Sequence, residues 1–305
     1  MTVAVFGSIN MDITAYMERL PGPGETLHGR RYKLGLGGKG ANQAVAAARL
    51  GSDVRFIARI GADEFAAAAQ RELASYGVDT ALLRHDEGGA TGIAIINVGD
   101  SGENCISVIG GSNLAIDETD VARGRAALEA ARVLLLQLEV PLRSSLAAAR
   151  IVKSRGGAVI LDPAPAPQRG LSADVLRAID ILTPNESETA SILGWTPASL
   201  DDGLKAARQL RDRGVATAIV KLGARGVAVS SADAEGTVPA FKVKAVDTVA
   251  AGDSFNGGLA HAIERGKPLI DAVRYAAACA ALSTTRYGAS AAAPGAAEVE
   301  AFLKA

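Results

Sequence analysis

Cysteine is nearly missing: the 305-residue chain holds two, Cys105 and Cys279, in unrelated contexts. They have no metal-ligand spacing, and two isolated thiols suit a reducing compartment. Histidine is scarce too. His28, His85 and His261 lie far apart with unlike neighbours, which gives no metal cluster and no catalytic triad. Neither sign of charge is in excess: 32 Lys and Arg face 33 Asp and Glu, a net charge of −1, so nothing calls for nucleic acid or an anionic membrane as partner. No apolar run is long enough to cross a bilayer. The first residues lack the basic-then-apolar pattern of a secretion signal, and 2–6 reads as a strand instead. Internal repeats are absent. The expectation is a cytoplasmic enzyme. Also absent is a Walker A phosphate loop, because Gly40 and Ala41 follow Lys39 where Ser or Thr would stand.

What is present is 49% hydrophobic and 21% charged, enough for one large α/β domain or two modest ones. An apolar run at 2–6 ends in Gly7-Ser8. A helix at 41–50 ends at Gly51 in the C′ position, and a helix at 65–75 ends at Gly77, with a strand at 54–60 between them. Beyond residue 115, helices at 118–130, 142–154, 186–193 and 202–213 alternate with strands at 133–138, 158–161, 179–183 and 218–221. Helices at 253–265, 269–285 and 296–304 follow. That rhythm predicts a parallel sheet with helices on both faces. The half-polar segments 13–16, 30–36, 91–98 and 104–109 do not fit it, and Gly99-Asp100-Ser101-Gly102 between the last two reads as a hairpin turn. They predict a small separate sheet lying over the core as a lid, made from about 13–36 and 91–109 within a single domain of 1–305. An apolar face on so small a sheet needs cover, which suggests a second subunit and a homodimer.

Several segments carry chemistry. Residues 246–258 read Val-Asp-Thr-Val-Ala-Ala-Gly-Asp-Ser-Phe-Asn-Gly-Gly. Small residues opening a helix leave backbone N–H groups free for an anion. Asp253 stands in that first turn, as a base beside a transferring phosphate or as an ordinary helix cap. Gly252, Gly257 and Gly258 weaken a helix, so a ligand or a neighbouring helix is expected close by. Beside a positive helix end, Asp253 is expected to have a low pKa. Gly35-Leu36-Gly37-Gly38-Lys39-Gly40 matches the dinucleotide fingerprint by letter but follows an amphipathic lid strand rather than the first core strand. Its other readings are a pocket for a small polar ligand, bonded by Lys39 and Asn42, or a lid hinge. Gly7-Ser8-Ile9-Asn10-Met11-Asp12 lies past a strand's C-terminal end, where ligands of open α/β sheets gather. Asn10 and Asp12 suit sugar hydroxyls, or plain Asx turns. In Thr183-Pro184-Asn185-Glu186-Ser187-Glu188, Asn185 and Glu188 sit one helical turn apart; they would hold hydrated Mg²⁺, or simply complement the helix dipole. Lys221-Leu222-Gly223-Ala224-Arg225-Gly226 passes under a nucleotide or forms a hairpin turn.

Taken together, these segments resemble the ribokinase (PfkB-type) family of carbohydrate kinases from Val3 to Gly288. Both family signatures are present, Gly37-Gly38-Lys39-Gly40-Ala41-Asn42-Gln43-Ala44 and Asp247-Thr248-Val249-Ala250-Ala251-Gly252-Asp253. Pro23-Gly24-Glu25-Thr26, Leu138-Glu139 and Asp162-Pro163-Ala164-Pro165-Ala166 fit the same pattern. The resemblance implies a three-layer α/β/α sandwich, with a mainly parallel central sheet and a small β-sheet lid. It implies ATP-dependent phosphorylation of a sugar, D-ribose at its 5-hydroxyl before deoxyribose, fructose, 2-keto-3-deoxygluconate or a nucleoside. A non-catalytic sugar sensor and a nicotinamide oxidoreductase are the readings from other classes. By the same resemblance, Asn10, Asp12, Gly38, Lys39, Asn42 and Glu139 line the sugar pocket. Asp253 is the base, and the amides of Ala250, Ala251, Gly252 and Asp253 form the anion hole. Asn185 and Glu188 serve ATP and Mg²⁺. Lys221, Leu222, Gly223, Ala224, Arg225 and Gly226 border the nucleotide with Gly252 and Ala277. An activating K⁺ sits near Asp247, Val249, Ser283, Arg286, Gly288 and Ala292. Lys221 and Ala292 depart from the family pattern, which often has Thr at the first and a hydroxyl at the second. Sugar choice is expected to rest on lid residues Ala94, Ile96 and Val108.

Overall fold

The computed structural model describes residues 2–305. At its centre β1 (Thr2–Phe6) lies between β4 (Asp53–Gly61) and β8 (Ala131–Leu136), both parallel to it. β9 (Ala158–Leu161), β10 (Ile181–Leu182) and β11 (Thr217–Lys221) continue the parallel run on one side, and β5 (Leu83–Asp86) closes the other. The antiparallel pair β12 (Gly226–Ser230) and β13 (Glu235–Pro239) completes a nine-stranded sheet ordered β13-β12-β11-β10-β9-β8-β1-β4-β5.

The strands are almost wholly apolar because both faces are covered. Successive side chains point to opposite sides. Val3, Val5, Val133, Leu135 and Ile160 meet the helices Lys39–Arg49, Ala251–Glu264 and Leu269–Ser283. Ala4, Phe6, Leu134, Leu136 and Leu161 meet Leu142–Ser154, Glu186–Leu193 and Leu200–Asp212. This is the expected three-layer sandwich. The helix expected at 118–130 is broken at Gly124 into Glu118–Arg123 and Arg125–Ala130. The break sits where the backbone presses on the sheet: a Cβ on Gly124 would lie 2.4 Å from Ile57 Cδ1.

β2 (Asn10–Met17), β3 (Arg31–Gly37), β6 (Gly92–Gly99) and β7 (Asn104–Ile109) form the separate lid sheet, ordered β3-β2-β6-β7, where the half-polar segments predict it. Gly99–Gly102 turns β6 into β7. Lid residues Tyr32, Leu34, Ile95, Ile106, Val108 and Ile109 keep large apolar side chains exposed. Only Gly7, Ser8 and Ile9 separate core strand β1 from lid strand β2, so the lid begins at the sheet's edge. No helix among the described residues is long and apolar enough to cross a membrane.

Candidate active site

Strands β1, β8, β9, β10 and β11 run parallel, so their C-terminal ends open on one edge. That edge presents, in turn, Gly7–Asp12, Gln137–Glu139, Asp162, Asn185 and Lys221. It is the usual ligand edge of such a sheet.

The helix Ala251–Glu264 starts there. Ala250, before it, has φ 56°, the one positive φ of a non-glycine residue among the described residues. An alanine in the left-handed region stores strain, which aims the helix's first turn. Ala251 N–H makes a long 3.3 Å bond to Thr248 O, and the Gly252 and Asp253 amides meet no protein acceptor among the described residues. The Asp253 side chain is not a cap. It is 5% exposed, and its Oδ2 accepts from Asn42 Nδ2 at 3.1 Å while Oδ1 accepts from Gln43 Nε2 at 3.1 Å. Burial pushes its carboxyl up to about 6; Lys39 opposes this, Asp162 adds to it, and the two amide donors oppose it. The low pKa expected from the helix end is therefore overturned, because desolvation outweighs the dipole. Gly257 and Gly258 serve packing, not a ligand. A Cβ on Gly257 would lie 2.5 Å from Ala46 Cβ, and one on Gly258 2.8 Å from Cys279 Sγ.

Among the residues expected to line the sugar pocket, Gly38 has φ +84°, and a Cβ there would lie 2.7 Å from Asn10 N. The segments 7–12 and 37–44 touch through that bare backbone. Asn10 is held by Asn113, whose Nδ2 donates to Asn10 Oδ1 at 2.8 Å and to Ile9 O at 2.9 Å. The sequence offers no motif that would have picked out Asn113. Glu139 Oε2 accepts from Ser8 Oγ at 2.5 Å and from Lys39 N at 2.9 Å. Burial, then Glu139, Asp253 and Glu72, push the Asp12 carboxyl up to about 7. Burial works against the Lys39 ammonium, but Asp253, Asp162, Glu139 and Glu188 more than offset it and hold its pKa above the usual lysine value. Ala94 and Val108 stand in register with Asp12 across the lid, and Ile96 with Thr14. Residues 35–40 end lid strand β3 and start the helix Lys39–Arg49, so they are not a first βα turn and the dinucleotide reading fails.

Toward β10 and β11, Asn185 and Glu188 form a reciprocal capping box, with Asn185 Oδ1 accepting Glu188 N at 2.9 Å and Glu188 Oε2 accepting Asn185 N at 2.8 Å. Glu188 is nonetheless 5% exposed, and burial and then Asp162 raise its carboxyl while Lys221 opposes them. No group of three or more His, Cys, Asp or Glu that could ligate a metal directly occurs among the described residues, so a cation here would be met by Glu188 through its hydration shell. Lys221–Gly226 is the β11–β12 turn: Leu222 and Gly226 are buried, while Gly223, Ala224 and Arg225 are exposed, and Arg225 pairs with Glu186. Ala277 is buried in the helix Leu269–Ser283.

The residues expected around K⁺ gather near the end of that last helix. Asp247 Oδ1 accepts Val249 N at 3.0 Å and Oδ2 accepts Gly288 N at 3.0 Å. Asp247 N–H also donates to Thr284 O at 3.2 Å. The carbonyls of Val249 and Ser283 accept no hydrogen bond among the described residues, at a helix end that favours a cation. Ala292 is fully buried, and Arg286 is drawn off to Glu298. The carbonyl set fits a monovalent cation; Arg286 offers it nothing by side chain.

Gln43, Gln137, Asp162 and Ser290 were missed by sequence reasoning as site residues. Gln43 and Asp162 lie inside the quoted motifs, which was the available signal. Ser290 Oγ donates to Asn42 Oδ1 at 2.6 Å, fixing the amide that faces Asp253.

The family model described as pfkB family carbohydrate kinase matches residues 1–296. The ribokinase of Haemophilus influenzae is 41% identical over 99% of this chain and 98% of its own. The deoxyribokinase of Salmonella typhimurium is 38% identical over 94% of each. The structure of Arabidopsis thaliana ribokinase complexed with ribose and ATP is 31% identical, with TM-score 0.88 over 100% of this chain and 99% of that one.

Proposed function

The chain belongs to the pfkB family of carbohydrate kinases, and from that premise we propose that it transfers the γ-phosphoryl group of ATP to the 5-hydroxyl of D-ribose. The observation that carries the reading is Asp253: a buried carboxylate in a helix turn whose amides are free, next to Asn42 and Lys39. The hydroxyl oxygen forms its bond to the γ-phosphorus as the bond to the oxygen bridging the β-phosphate breaks. The hydroxyl proton passes to Asp253, and ADP leaves. With its pKa near 6, Asp253 is mostly ionised at neutral pH and more basic than an exposed aspartate. The amides of Ala251, Gly252 and Asp253 stabilise charge on the moving group without rearranging. Asn10, Asp12, Asn42 and Glu139 orient the sugar, and Lys39 offsets the carboxylates around it. The lid excludes water, which would otherwise accept the phosphoryl group.

Asn185 and Glu188 would hold Mg²⁺ through its water shell, where it would neutralise phosphate charge. Asp247 with the carbonyls of Val249 and Ser283 would hold K⁺ and steady the strained loop before Ala250. Residues 222–226 and Ala277 border the nucleotide. The exposed apolar lid residues are covered by the lid of a second copy, giving a homodimer, and the protein works in the cytoplasm.

The deoxyribokinase relative makes 2-deoxyribose the second substrate to consider. An ADP-release assay over pentoses, hexoses and nucleosides, with and without K⁺, tests the reading. D-ribose is expected to give the highest kcat/KM. A preference for another sugar overturns the substrate, and no ADP from any acceptor overturns the kinase.

A further inference from the structure

Lys221 ends β11, yet its ammonium lies inside the site. Nζ is 3.0 Å from Asp162 Oδ1, and the two side chains are 12% and 3% exposed. A Cβ placed on Gly252 would come 3.4 Å from the same nitrogen. The ammonium therefore borders the open first turn of the helix Ala251–Glu264. An ammonium has three donors, and Asp162 takes one; no other acceptor is within hydrogen-bond distance among the described residues. Asp162 is itself anchored. Gln43 Nε2 donates to Asp162 Oδ2 at 3.0 Å and to Asp253 Oδ1 at 3.1 Å. Gln137 Nε2 donates to Gln43 Oε1 at 2.7 Å, which fixes the sense of the Gln43 amide. One hydrogen-bonded row thus runs Lys221, Asp162, Gln43, Asp253.

We propose that Lys221 is a direct ligand of the migrating phosphoryl group, with Asp162 as the positioning residue that holds its ammonium at the anion hole. The inference rests on the kinase reading above. The two unused donors of the ammonium point to a need for anionic oxygens, and the transferring group brings them next to Gly252. Asp162 also acts on the base, because through Gln43 it keeps Asp253 turned toward the same spot.

The rival explanation is an ordinary buried ion pair, in which Lys221 serves only to neutralise Asp162. The two differ in what happens when both charges go. A buried pair replaced as a whole is often neutral for stability, whereas breaking it by halves is costly. The test compares Lys221→Met, Asp162→Asn and the double variant, each checked for folding by thermal melting. Steady-state kinetics with ATP–Mg²⁺ and the best sugar give kcat and both KM values. If Lys221 contacts the phosphoryl group, the folded double variant falls more than about tenfold below the folded Asp162→Asn variant in kcat, as expected for loss of a charged hydrogen bond, with the sugar KM little changed. A double variant whose kcat equals or exceeds that of Asp162→Asn, or lies within about tenfold of it, assigns Lys221 to charge balance alone and overturns the proposal. A wild-type chain that releases no ADP from any acceptor refutes the kinase reading, and this inference with it.

Discussion

The sheet edge and the lid are built from opposite materials. At the edge, Asp253, Gln43, Asp162 and Lys221 are largely buried and bonded to one another in a fixed row. In the lid, Ile106, Val108 and Tyr32 lie exposed, and β7 is exposed along its whole length. A reaction that needs preset dipoles belongs on the rigid edge. A step that must open, admit a sugar and close belongs on the sheet with less buried area. The contrast assigns rate to the edge and substrate choice to the lid.

The strongest way to break that division is Asp253→Asn. Its kcat is expected to fall by about a thousandfold, the range for loss of a general base, with D-ribose affinity kept within a few fold by calorimetry. Near-normal turnover would remove Asp253 as base. The wild type should lose stability between about pH 5 and pH 8. Asp253 and Asp12 are raised to about 6 and about 7, so the stability each contributes is full below its unfolded value and lost as pH rises through those figures. A Tm that falls as the pH is raised across that range, read by calorimetry, checks it. Activity has the opposite pH sense. Because the base must be ionised, kcat/KM of the wild type should fall about tenfold per unit below pH 6.

The lid should behave otherwise. Ile106→Asp is expected to leave kcat at saturating sugar within a few fold, to raise the sugar KM about tenfold, and to shift the mass seen by sedimentation from dimer to monomer. A collapse of kcat with unchanged mass would place chemistry in the lid. The smallest effect on stability is expected at Asn185→Ala, where loss of one half of the capping box costs about 1 kcal/mol in urea unfolding, alongside a raised KM for ATP–Mg²⁺.

The layers, the lid segments and the two signature motifs were legible because hydrophobic period and glycine spacing are local properties. Short or edge elements were not. β10 has two residues where 179–183 suggested five, and β13, a half-exposed edge strand ending in Pro239, carries little periodic signal. In the site, Asp253 could be placed from its helix start, but its pKa could not. The helix end is visible in sequence; the burial that outweighs it is a tertiary property, and so is the opposition of Lys39, Gln43 and Asn42, more than 200 residues away. Asn113 and Gln137 were hidden for the same reason, since each acts through partners about 100 residues distant.

The central claim is that the phosphoryl group lands on the primary alcohol facing Asp253. Phosphorus NMR of the reaction of ATP with D-ribose tests it directly. The expected result is a new phosphomonoester signal split into a triplet by the two protons on carbon 5, absent with Asp253→Asn. A doublet from transfer to a secondary or anomeric hydroxyl, or free phosphate alone, would contradict it.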